Sequence, residues 1–147
     1  MNDRIDVVLV YEIPQRQKIT LNNLKARYIS LLNEIRTPKW MQLPREIVVG
    51  HGTINEIANA CKKLGLHDSV VVVMDDLTRK IAGDNVCEIL ADAGYDFSAF
   101  VTDSITREQI ENVKARAEEV GASFIVGVGG GTVIDLAKVS SAQIGIP

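Results

Sequence analysis

Short apolar runs, consecutive or alternating, are separated along this chain by stretches in which apolar residues recur every three or four positions. The first pattern is that of strands and the second that of helices. Strands are predicted over residues 5–11, 46–49, 69–74, 97–101 and 123–128, and helices over 18–36, 53–64, 77–93, 106–120 and about 132–143. The punctuation agrees with this division. Thr53 with Glu56 and Thr106 with Gln109 have the spacing of reciprocal helix caps, and Gly65, Gly94 and Gly121 stand where helices should stop. Gly83 predicts a break inside the third helix, and Pro38 ends the first.

Val70-Val71-Val72-Val73 is apolar at every position. A strand apolar on both faces belongs in the middle of a parallel sheet covered by helices on each side. Strands that alternate with helices imply the same architecture, an α/β fold built from βαβ units. Residues 1–38 read as an unassigned strand–helix extension, and residues 39–147 as the domain proper. Charge marks the same division, with a net +3 over residues 1–39 and −6 over 40–147.

Composition narrows the function. A chain of 147 residues, 46% hydrophobic and 24% charged, can bury a core. Its apolar runs stop at about 5–6 residues, short of the roughly 18–20 that a membrane span requires. No signal peptide follows Met1, and Cys61 and Cys87 have no CxxC spacing, so a reducing cytoplasmic setting is expected. These two cysteines read as small core residues. The net charge of −3 argues against nucleic acid as the main partner. His51 lies between two glycines with no carboxylate or metal-ligand partner spaced with it, so neither catalysis nor metal binding is assigned to it.

The segment that carries chemistry is Phe124-Ile-Val-Gly-Val-Gly-Gly-Gly-Thr-Val-Ile-Asp-Leu-Ala-Lys138. An apolar strand runs through three glycines, Gly129, Gly130 and Gly131, directly into a helix. Glycines permit close approach of a ligand, and the helix start offers unpaired N–H groups and the positive end of a dipole. Phosphate is the natural occupant. No Lys-Ser/Thr follows as in a Walker loop, and Thr132 stands where G-x-G-x-x-G needs its last glycine. A tight turn for helix–sheet packing explains the glycines equally well at this point. Thr132 and Asp135 have cap spacing, which gives them a plain structural role beside a functional one. Asp75, after the strand ending at Met74, is placed either to cap a turn or to accept hydrogen bonds from a ribose. A carboxylate there would favour NAD over NADP. Thr102-Asp103 follows the next strand in a similar place.

The string Lys-Trp-Met-Gln-Leu-Pro-Arg-Glu-Ile-Val-Val-Gly-His-Gly (39–52) resembles the opening of the archaeal sn-glycerol-1-phosphate dehydrogenases. The likeness continues through Thr-Arg-Lys-Ile-Ala-Gly (78–83) and Gly-Val-Gly-Gly-Gly-Thr-Val-Ile-Asp-Leu-Ala-Lys (127–138). These enzymes form a superfamily with glycerol dehydrogenase, dehydroquinate synthase and the iron-dependent alcohol dehydrogenases. The resemblance implies a Rossmann-like sheet and NAD(P)H-dependent reduction of dihydroxyacetone phosphate to sn-glycerol 1-phosphate, for archaeal ether lipids. It implies that Gly129, Gly130, Gly131, Thr132 and Val133 hold the pyrophosphate of NAD or NADP. Asp135 would sit near the nicotinamide end and Asp75 near the adenosine ribose. In the family a further strand, a second cofactor loop and a C-terminal helical domain carrying the zinc ligands follow. None of these is in this sequence, so no catalytic or metal-ligating residue is assigned. The expectation is a cofactor-binding portion that is inactive alone and self-associates through uncovered apolar surface. The alternatives are a non-catalytic nucleotide- or phosphate-binding module and an inactive truncated remnant.

Overall fold

The computed structural model of the chain describes residues 6–10 and 45–147. The chain divides into two compact units, one of Met1–Ile13 with Pro44–Pro147 and one of Pro14–Leu43. The second unit, with the helix expected over 18–36, lies outside the described residues.

Strand β1 (Asp6–Val10) pairs antiparallel with β2 (Glu46–Gly50), Asp6 opposite Gly50 and Val10 opposite Glu46. Strands β3 (Ser69–Met74), β4 (Asp96–Val101) and β5 (Phe124–Val128) form a parallel three-stranded sheet in the order β4-β3-β5. Helix α1 (Ile57–Lys63) precedes β3, α2 (Asp84–Asp92) precedes β4, α3 (Arg107–Glu119) precedes β5, and α4 (Gly131–Ile144) follows it.

The valine run lies in the centre, with all six residues of β3 buried. Alternate side chains point to opposite faces. Val70, Val72 and Met74 pack with Ile57 and Cys61 of α1 and with Val86, Cys87 and Leu90 of α2. Val71 and Val73 pack with Val113 and Ala117 of α3 and with Val133, Leu136 and Ala137 of α4. The fold is therefore an α/β sandwich with helices on both faces of a parallel sheet, as the residue pattern predicts. Each fully buried valine contributes about 1.5–3 kcal/mol relative to an exposed one. Tyr95 meets Phe124 edge-on at 5.7 Å, and its hydroxyl donates to the Leu66 carbonyl at 3.0 Å.

Three expectations change at helix starts. The Thr53–Glu56 cap does not form. Gly52, at φ 70°, turns the chain into a 3-10 turn over Thr53–Glu56, and the α-helix begins only at Ile57. The Thr53 hydroxyl donates to the Gly50 carbonyl instead, at 3.3 Å. Gly83 is not a break either. Its φ of −62° is helical, and it closes a π-turn, Arg79–Gly83, that runs straight into α2. A Cβ there would lie 2.5 Å from the Met74 sulfur, so a core side chain from β3 requires this glycine. Last, Thr132 does not cap α4, because Gly130 holds that position and Thr132 falls inside the first turn. By contrast Thr106 caps α3 as expected, its hydroxyl accepting from the Gln109 N–H at 3.1 Å.

Candidate functional site

Met74 is in register with both Val101 and Val128. Asp75, Thr102 and Gly129 thus leave the sheet side by side at its carboxyl edge, on strands about 4.8 Å apart. In open α/β sheets this edge is where ligands bind.

Helix α4 opens with Gly130 in an extended conformation, φ −81° and ψ −167°, which any residue adopts. No side chain caps the helix. The first intrahelical bond runs from the Ile134 N–H to the Gly130 carbonyl at 3.0 Å. The N–H groups of Gly131, Thr132 and Val133 come before it and face the helix end. The three glycines do different work. A Cβ on Gly129 would lie 2.8 Å from Val133, so packing alone requires glycine there. Among the described residues, a Cβ on Gly130 or Gly131 would meet nothing within 4 Å. Neither backbone shape nor packing among the described residues demands glycine at these two exposed positions. What they leave is clear space in front of unpaired N–H groups.

The neighbouring residues divide likewise. The Val133 side chain is 1% exposed and belongs to the core, which leaves only its main chain for a ligand. Thr132 and Asp135 are exposed. Asp135 lies 3.9 Å from the Lys138 ammonium, one turn further along the helix.

Asp75 has a firm local task. Its carboxylate accepts from the Thr78 N–H at 2.7 Å, and its own N–H donates to the Thr78 hydroxyl at 3.1 Å. The Thr78 N–H holds this carboxyl below its usual range. It therefore stands as a fixed anion one strand away from the glycine turn. Thr102 is buried, its hydroxyl donating to the Ser104 carbonyl at 2.8 Å, and the Asp103 carboxylate accepts from the Ser104 hydroxyl. Both residues after β4 are spent on their own turn.

Sequence reasoning missed two residues at this edge. Leu77, 68% exposed after β3, and Ile105, 43% exposed after β4, present apolar surface beside Asp75 and Thr102. The signal was there: a large apolar residue among polar ones just after each strand. His51 is exposed in the turn after β2. Among the described residues no three His, Cys, Asp or Glu side chains come together as a metal site. The described residues thus do not fit a catalytic metal, and no chemistry of this region is routed through one. No described helix is long and apolar enough to cross a membrane.

Comparison with known proteins gives this geometry a context. Glycerol-1-phosphate dehydrogenase [NAD(P)+] of Methanosarcina acetivorans is 40% identical over 109 residues, which are 74% of this chain and 31% of the relative. Its counterpart from Methanoculleus marisnigri is 45% identical over 105 residues, 70% of this chain and 28% of the relative. The chain thus spans about a third of the length of these curated relatives. Among solved structures, an NADH-dependent butanol dehydrogenase from Thermotoga maritima superposes with a TM-score of 0.57 at 25% identity, covering 63% of this chain and 24% of that one. Residues 48–147 match the family described as iron-containing alcohol dehydrogenase. On this match, which includes the whole parallel sheet and the glycine turn, the chain belongs to the iron-containing alcohol dehydrogenase family.

Proposed function

We propose that residues 39–147 are the cofactor-binding portion of an NAD(P)-dependent sn-glycerol-1-phosphate dehydrogenase. The observation that carries this reading is the open space at Gly130 and Gly131, in front of the uncapped start of α4. A pyrophosphate fits that space, accepts from the N–H groups of Gly131, Thr132 and Val133, and gains from the helix dipole. The Thr132 hydroxyl, free of any capping duty, adds a donor from the first turn. Asp75 receives the ribose hydroxyls of the adenosine, and its charge disfavours a 2′-phosphate. Leu77 and Ile105 offer apolar surface to the adenine. Asp135 lies toward the nicotinamide end, its charge balanced by Lys138. When bound, the cofactor supplies the hydride for reduction of dihydroxyacetone phosphate. This chain's part is to hold and orient it. The names of the two archaeal relatives support the substrate.

Calorimetric titration of NADH into the purified chain tests the reading. Saturable binding with one site per chain supports it. No heat of binding up to millimolar NADH would overturn it.

A further inference from the structure

Arg79 and Asp84 are joined in a way that an ordinary helix does not allow. The Arg79 Nε donates to the Asp84 carboxylate at 3.1 Å. In an unbroken α-helix, residues five apart lie about 140° apart around the axis and do not meet. Here the π-turn widens the coil by one residue. The Asp84 N–H bonds to the Arg79 carbonyl, five residues back, and this brings Asp84 into line with Arg79. The turn is closed by Gly83, against which the Met74 side chain packs from the core. Turns of this kind inside helices recur at functional sites.

Arg79 also stands one turn beyond Asp75. Its N–H donates to the Asp75 carbonyl at 2.8 Å, so the two residues share one face of the short helical turn that follows β3. Helical side chains lean toward the N-terminus of their helix, which for Arg79 is the direction of Asp75. The bond to Asp84, further along the chain, holds the guanidinium the other way. Both partners of that bond stand in solvent, with side chains 51% and 62% exposed. An exposed pair of this kind is weakly held and readily exchanged for a stronger partner.

We propose that the Arg79–Asp84 pair sets the choice between NADH and NADPH: Arg79 leaves Asp84 to donate to the 2′-phosphate of NADPH beside Asp75, and Asp84 restrains it when that phosphate is absent. The proposal rests on the cofactor reading above, which assigns the adenosine ribose to Asp75. A planar guanidinium offers parallel N–H groups that match two phosphate oxygens, and its bond to a phosphate dianion is stronger than an exposed bond to one carboxylate oxygen. Asp75 repels the same phosphate. Arg79 and Asp75 therefore pull the preference in opposite directions, and Asp84 acts with Asp75 by keeping the guanidinium away. Lys80 is exposed as well, but it stands one position on, off the face that carries Asp75 and Arg79.

The test compares dissociation constants for NADH and NADPH, measured by calorimetric titration of the chain and of variants at exposed positions. Arg79→Gln is expected to weaken NADPH binding by about tenfold or more and to leave NADH binding within about twofold of the parent. Asp84→Asn is expected to tighten NADPH binding by about threefold, with NADH again little changed. Lys80→Gln removes the same charge one position along, and it is expected to leave the ratio of the two affinities within about twofold of the parent. Equal losses of NADPH affinity in Arg79→Gln and Lys80→Gln would reduce the effect to net charge and overturn the proposal. So would an NADPH affinity that Arg79→Gln leaves unchanged, or one that Asp84→Asn fails to raise. NADH binding by the parent together with any of these results overturns this inference alone, whereas a parent that binds neither cofactor overturns the cofactor reading with it.

Discussion

Gly129 packs directly against Val133: a Cβ on the glycine would lie 2.8 Å from the Cβ and Cγ2 of the valine. One turn of helix α4 is thereby seated on the end of β5, and the adjacent Gly130 is left with open space. Adjacent glycines in a single turn thus have different surroundings, and substitution should separate them. Gly129→Ala forces Val133, a core residue, to shift. It should cost about 1–3 kcal/mol of stability in urea unfolding. Gly130→Ala meets no atom of the described residues within 4 Å and keeps an ordinary backbone, so its stability should stay within about 0.5 kcal/mol of the parent. Its affinity for NADH should nevertheless fall by about tenfold or more, equivalent to about 1.4 kcal/mol.

The caps give a second contrast. Thr106 accepts from the Gln109 N–H at the start of α3, so Thr106→Ala should lose about 1 kcal/mol in thermal or urea unfolding. Thr132 caps nothing. Thr132→Ala should leave stability within about 0.5 kcal/mol of the parent and weaken NADH binding.

Cys61 predicts an alkaline limit to stability. Burial pushes its thiol from 9.0 up to about 11. The folded state keeps this proton after the unfolded chain has released it. The contribution is therefore fully present below pH 9 and is lost as pH rises toward about 11. Cys61→Ala should flatten that alkaline slope, measured by urea unfolding across the range, despite its lower stability at neutral pH. The same burial predicts that native Cys61 resists thiol reagents until the chain unfolds.

Asp75 behaves in the opposite sense. The Thr78 N–H lowers its carboxyl, so its contribution is present above the unfolded carboxylate value and is lost as pH falls through the lower folded one. Asp75→Asn should remove that acid-side dependence. On the cofactor reading it should also bring the affinity for NADPH closer to that for NADH, and an unchanged ratio would remove Asp75 from the ribose site.

Much of this fold is legible because its determinants are local. Val70–Val73 marks the central strand by being apolar at every position, and the structure buries all of it. Gly65, Gly94 and Gly121 end helices with positive φ, as their positions predict. Three features resist such reading because each is decided by something other than sequence spacing. The Thr53 hydroxyl turns to a carbonyl that Gly52 brings near. Gly83 looks like a helix breaker until Met74, from a strand, is found against it. The antiparallel pairing of β1 with β2 joins residues far apart in sequence, and no local pattern specifies it. For the proposed site, motif alone puts forward the glycine turn and Asp75, and the structure places both at the carboxyl edge of the sheet. The distinction between Gly129 and Gly130, and the apolar faces of Leu77 and Ile105, needed three-dimensional neighbours.

The central claim is that the start of α4 holds the cofactor pyrophosphate. Amide chemical shifts of the labelled chain, followed through an NADH titration, test it most directly. The account predicts that the largest saturable shifts fall on Gly130, Gly131, Thr132 and Val133, with a second group at Asp75 to Leu77. Saturable binding whose shifts leave residues 130–133 unmoved would contradict it.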